Sequence, residues 1–161
     1  MARRWLLLLL SLSLASGGQA APRLALGAGA FYPFNTEIPH DGLALLVVEA
    51  SPLDDWWQIR PMAQAFITNN ANYYVGLGAS RDFAINDSWL WGVASGVGYY
   101  HKVDGDYDLG TELEFYSRLY LGWQLSPKQG LRLDLGHISN AGFDDHNPGS
   151  ETLTLSWVYQ W

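Results

Sequence analysis

The chain has 161 residues, nine Lys and Arg against 16 Asp and Glu, a formal charge of −7, and no cysteine. An acidic balance of this size argues against nucleic acid as a partner, and the lack of cysteine excludes a disulfide framework. Eight Trp, nine Tyr, six Phe and 17 Gly, with only 16% charged residues, point to an aromatic-rich β fold.

The N-terminus reads as a targeting segment. Arg3 and Arg4 precede the apolar run of residues 5–15, and Gly18-Gln19-Ala20 supplies small residues at a cleavage position. This is the pattern of a secretory signal peptide over residues 1–20. The run is too short to span about 30 Å of hydrocarbon. Cleavage after Ala20 leaves residues 21–161 as one domain, with 7 basic residues against 16 acidic. An exported domain without disulfides needs another source of rigidity, and a closed barrel in lipid supplies one. Outside the signal no apolar run reaches 18 residues, so no transmembrane helix is expected. Composition still fits both an outer-membrane β-barrel and a soluble periplasmic sandwich or lipocalin-like barrel.

Alternation predicts strands over residues 23–32, 43–49, 59–68, 73–81 and 88–100, less cleanly, and over 110–125, 131–139 and 150–161. Eight strands make a small transmembrane barrel. In the fifth, Gly92, Ala94, Gly96 and Gly98 share one face, opposite Trp89, Trp91, Val93 and Val97. In the sixth, Leu113, Phe115, Leu119, Leu121, Trp123 and Leu125 share the odd face, broken only by Ser117. Its even face carries Glu112, Glu114, Arg118 and Gln124. The seventh sets Leu131, Leu133 and Leu135 against Arg132 and Asp134, and the eighth repeats the pattern up to Trp161. In a membrane barrel the Leu and Trp rows meet lipid, and Glu114, Arg118, Arg132 and Asp134 pair in the lumen. Periodicity does not choose this sense over the soluble one; the terminal aromatic resembles the assembly signal of outer-membrane barrels. An even strand count puts both termini in the periplasm. Residues 33–41, 101–108 and 140–149 are then outer loops, 126–130 is a periplasmic turn, and Asp54-Asp55-Trp56-Trp57 is an interfacial turn.

The chemistry gathers near the C-terminus. His137, Ser139 and Glu151 are all odd, so they share the face of the Leu rows. They sit at the outer ends of two consecutive antiparallel strands, so the three face the outer leaflet if the wall faces lipid. Residues i and i+2 of a strand are separated by roughly 6.6 Å, within reach of an imidazole and a hydroxyl. A serine hydroxyl needs such a base near pH 7, and a carboxylate on the next strand can orient the ring. Asn140 and Asn147 are candidate amide donors to an oxyanion, and Gly142, Pro148 and Gly149 let the loop fold back. Spacing leaves two readings open: a triad, or incidental polar residues at a strand end. Asp144-Asp145-His146 contains metal-ligand types, but adjacent residues rarely converge on one ion, so a solvated loop is expected. His40 and His101 are assigned loop roles.

His137-Ile138-Ser139-Asn140-Ala141-Gly142, then Asn147-Pro148-Gly149 and Glu151, resembles the signature of the lipid A 3-O-deacylases of the PagL type. The specific part covers about fifteen residues; weaker likeness runs through residues 112–125 and around Trp56-Trp57. The resemblance implies an eight-stranded outer-membrane barrel with a lipid-facing Ser-His-Glu triad. It implies Ser139 as nucleophile, His137 as base, Glu151 as orienting acid, and oxyanion or geometric roles for Asn140, Gly142 and Asn147. It implies an esterase acting on the 3-O-linked hydroxyacyl chain of lipid A, with no metal or organic cofactor. The expected partners are lipopolysaccharide in the outer leaflet and the bilayer itself; a homodimer is left open. The connection over residues 67–73 is short against the family pattern, a difference that bears on substrate contacts. The rival readings are a non-enzymatic small barrel, such as an adhesin or structural protein, and a phospholipase barrel.

Overall fold

The computed structural model describes residues 21–34, 40–103 and 108–161. The expected signal over 1–20 lies outside the described residues, as do 35–39 and 104–107 of two expected outer loops. Eight strands close an antiparallel barrel. They are β1 Arg23–Phe31, β2 Asp41–Glu49, β3 Arg60–Thr68, β4 Tyr73–Ala84, β5 Trp89–His101, β6 Leu113–Ser126, β7 Gln129–Ser139 and β8 Ser150–Gln160. Each strand pairs with its chain neighbour, and β1 closes on β8 from Arg23↔Gln160 to Phe31↔Thr152. Closure leaves no edge strand among the described residues, as hydrocarbon requires.

Several boundaries move for identifiable reasons. β4 runs to Ala84, three residues past the expected end at Arg81, because Asp82, Phe83 and Ala84 continue the ladder with Gly92, Trp91 and Leu90. Asp82 turns inward and finds Arg23 at 2.9 Å and Arg60 at 3.4 Å. β6 starts at Leu113 rather than Gly110. Gly110 takes φ +100, and a side chain there would run into the His146 carbonyl. It is a loop contact point rather than a strand residue. The expected turn at Asp54–Trp57 contains a 3-10 turn, Asp54–Trp56, that leaves Trp56 and Trp57 exposed.

The barrel has the membrane sense. Leu119, Leu121, Leu133, Leu135 and Leu155 point outward and are exposed, whereas Glu114, Arg118, Arg132 and Asp134 are buried in the lumen. Arg118 and Arg132 both reach Asp134, at 2.9 and 3.2 Å, and Arg132 also meets Glu49 at 3.4 Å. Arg23 pairs with Glu49 at 2.9 Å. Glu114 departs from the expected pairing: among the described residues it has no cationic partner, because it lies nearer the outer end, above the charge network. That end of the lumen is filled by Phe31, Phe66, Tyr74, Tyr100 and Tyr116, with Phe66 stacked on Tyr74 at 5.6 Å. The small face of β5 turns inward, and a Cβ at Gly92 would overlap the Tyr120 ring. A packed aromatic layer over an ionic layer makes the lumen a rigid core, not a channel.

Aromatic rings mark both rims of the outward wall. Trp89 and Trp123 stack at 5.6 Å, and Trp157, Tyr159 and Trp161 follow one another at the periplasmic end. Tyr73 and Tyr99 flank His101 at the other end. Such girdles sit at headgroup level on either side of an apolar belt.

Candidate active site

The register of β7 and β8 sets His137 directly opposite Glu151. Side chains so opposed have Cβ atoms about 4.5–5.5 Å apart. The imidazole Nδ1 lies 3.5 Å from Glu151 Oε1, and both side chains stand on the outward wall about half exposed, at 54% and 47%. Ser139 occupies the same face two residues further out, at the last position of β7, opposite Phe115 of β6. With Nδ1 turned to the carboxylate, Nε2 is the ring nitrogen left for a hydroxyl. Among the described residues the Ser139 hydroxyl makes no side-chain hydrogen bond; bonds of this kind commonly tighten only with substrate in place.

The loop of residues 140–149 is built around Asn140, which is fully buried. Its Nδ2 donates to the carbonyls of Leu109 at 3.1 Å and His146 at 2.9 Å. Its Oδ1 accepts from the Gly142 N–H at 2.9 Å. Ala141 and Gly142 both take left-handed φ, +56 and +81, which forms the tight return that this bond closes. The backbone N–H of Asn140 donates to Asn147 Oδ1 at 3.1 Å, so the Asn147 amide is anchored by its oxygen. Asn140 and Gly142 have therefore spent their N–H donors on the loop, whereas Asn147 keeps its Nδ2 group. Gly149, at φ +61, lies over the imidazole; a Cβ there would stand 2.9 Å from His137 Cε1.

The neighbouring outer loop supports this one through Leu109. There Lys102 binds Asp108 at 2.7 Å, and this contact, with the Gly110 N–H, holds the Asp108 carboxyl below the ordinary carboxylate range. Asp144 accepts from the His146 N–H at 2.8 Å, a local turn, and the described residues contain no cluster of metal ligands around Asp144, Asp145 and His146. His40 Nδ1 is 2.7 Å from the Tyr32 carbonyl. His101 departs from its expected loop role: it ends β5 and stacks on Tyr73 at 5.0 Å. The short connection after Ile67 is a tight turn in which Asn70 donates to Asp41 at 2.9 Å.

Two features of the wall escape a reading by motif. Phe143 of the loop packs against Phe115 at 5.7 Å, beside Ser139. The polar row also does not stop at His137: Ser117 of β6 is its direct partner on the other side, and Ser95 of β5 is the partner of Ser117. The signal for it was the single serine interrupting the apolar face of β6. A groove of about 750 Å³ on this wall has Ser95, Ser117, His137 and Glu151 in its lining, together with apolar residues such as Val93, Leu119 and Leu135.

A profile of the family described as "Lipid A 3-O-deacylase (PagL)" matches residues 48–160, more than half of the chain. The chain belongs to the PagL family. Within it, the chain is 34% identical over 55 residues to "Lipid A deacylase PagL" of Bordetella bronchiseptica, a match covering 34% of this chain and 31% of that protein. The chain thus matches about a third of the length of this curated relative. The structure resembles the crystal structure of the outer-membrane enzyme PagL with a TM-score of 0.64 at 20% identity, covering 86% of this chain and 99% of the other. It resembles Neisserial surface protein A equally well, with a TM-score of 0.67 at 9% identity over 90% of this chain and 100% of the other. Likeness at these identities establishes the outer-membrane barrel and no more. Membership of the PagL family rests on the sequence match, which includes every residue of the site from His137 to Glu151.

Proposed function

We propose that this barrel is an outer-membrane esterase that hydrolyses the ester-linked hydroxyacyl chain at position 3 of lipid A. One observation carries the reading: His137 and Glu151 are cross-strand partners on the outward wall, and Ser139 shares that face, in a chain of the PagL family. A lipid-facing row is a costly place for charge, and pairing there argues for use. The site draws all its side chains from one chain, so this reading needs no homodimer.

Ser139 Oγ attacks the ester carbonyl carbon as His137 Nε2 takes its proton. Glu151 holds the ring through Nδ1 and stabilises the imidazolium. The carbonyl oxygen gains negative charge and receives the Asn147 Nδ2 donor, while Asn140 and Gly142 hold the loop that presents it. Collapse breaks the bond to the sugar oxygen, which takes the proton from His137 and leaves as the alcohol. Water then attacks the acyl-Ser139 ester by the same proton route, releasing the hydroxy fatty acid and regenerating Ser139. Lipid A lies in the outer leaflet, so the ester reaches this wall without leaving the membrane.

The test is release of hydroxy fatty acid from lipopolysaccharide by the folded protein in detergent. Ser139→Ala is expected to abolish release, and Glu151→Gln to lower it by about 10⁴-fold, as loss of a triad orienting acid does. Undiminished release by Ser139→Ala removes Ser139 as nucleophile. Release of glycerophospholipid chains instead makes the protein a phospholipase.

A further inference from the structure

The polar row continues past the site on the side away from Glu151. Ser95, Ser117, His137 and Glu151 are successive cross-strand partners on β5, β6, β7 and β8, all on the outward face. The two serines are hydrogen-bonded, Oγ to Oγ, at 2.8 Å. They do not lie at the rim. Their outward neighbours on the same face are Val97 and Phe115, and their inward neighbours are Val93 and Leu119. Along its own strands the pair interrupts an apolar belt, and across the strands it adjoins His137.

Neither hydroxyl belongs to the machinery set out above, yet both line the groove that contains His137 and Glu151. One O–H is spent on the other serine. Among the described residues neither serine has a second side-chain hydrogen bond, which leaves one O–H without a side-chain acceptor on an apolar wall, where an unmet polar group is unfavourable. Ser139 stands one step outward of the groove lining, so a chain that enters the groove from an ester carbonyl held at Ser139 passes the serines immediately. Ser117 is diagonal to Ser139 across the β6–β7 pair, a relation that spans roughly 7–8 Å. A hydroxyl two carbons from the carbonyl carbon falls between them, within hydrogen-bond reach of Ser117, whereas an unsubstituted chain leaves the serines unmet.

We propose that Ser95 and Ser117 form a specificity subsite that hydrogen-bonds a hydroxyl near the ester end of the acyl chain, selecting hydroxyacyl over plain acyl esters. The inference rests on the deacylase reading and adds a recognition element to it. Ser117 meets the substrate hydroxyl, and Ser95 positions Ser117.

The experiment uses the full barrel in detergent and two synthetic glucosamine esters, identical except for a hydroxyl at the third carbon of the acyl chain. The quantity read is the ratio of kcat/KM for the hydroxylated ester to that for the plain one. The wild-type protein is expected to prefer the hydroxylated ester. Ser117→Ala is expected to reduce the ratio about five- to tenfold, the worth of one hydrogen bond. Ser95→Ala is expected to reduce it less, and Ser117→Thr, which keeps the hydroxyl, to retain it. A wild-type ratio near one, or a ratio unmoved by Ser117→Ala, overturns the subsite while leaving the deacylase reading standing. Failure of the wild-type protein to cleave either ester, or lipopolysaccharide itself, overturns both.

Discussion

Gly149 shows how narrowly the site is set. Its φ of +61 belongs to the left-handed region, and its α-carbon lies so close to the imidazole that a Cβ would stand 2.9 Å from His137 Cε1. A substituent there strains the loop and pushes the ring away from Ser139. Gly149→Ala is expected to lower kcat by about 10²-fold, the cost of misplacing a catalytic group by about 1 Å, with the barrel still folded by heat-modifiable gel migration. Parity was sufficient to place His137, Ser139 and Glu151 on one face. It could not separate Asn140 from Asn147. What separates them is a bond from Asn140 to the carbonyl of Leu109, 31 residues away. No spacing rule encodes such a contact between two outer loops.

The β6–β7 hairpin carries the site on one face and its support on the other. Outward stand Ser117, His137 and Ser139; inward, Arg118 and Arg132 converge on Asp134. A buried ion pair adds little net stability, but removing one partner leaves charge stranded. Asp134→Ala is expected to destabilise the barrel by about 3–5 kcal/mol, read as a lower urea midpoint for unfolding from detergent. The alternating strands of this hairpin were legible because both faces are strongly marked. β6 starts three residues after the expected Gly110, which fits a strand pattern while its backbone, at φ +100, does not. β4 runs three residues beyond the expected Arg81 because Arg23 and Arg60, distant in sequence, meet the Asp82 carboxylate across the lumen.

At the scale of the molecule the decisive property is the sense of the barrel. Alternation alone allows the Leu rows to point inward, as in a soluble barrel. The structure turns them out because the luminal residues of one strand complete those of another: Glu49 of β2 serves both Arg23 of β1 and Arg132 of β7. Among the described residues the lumen is packed with aromatic and ionic side chains, and the outward wall offers an apolar surface that can receive an acyl chain. Replacing a mid-wall residue tests that sense. Leu155→Arg is expected to cost about 2–4 kcal/mol in lipid vesicles, the penalty of a cation at the bilayer midplane. A luminal-facing position would respond to partner loss instead.

The central claim is that the outward row of Ser139, His137 and Glu151 cleaves an ester of lipid A in the outer leaflet. The most direct measurement is the mass spectrum of lipid A from cells expressing the wild-type chain, the Ser139→Ala variant, or neither. Loss of one hydroxyacyl mass with the wild-type chain alone is the predicted result. An unchanged lipid A spectrum under several growth conditions, with the wild-type barrel folded in the membrane, would contradict it.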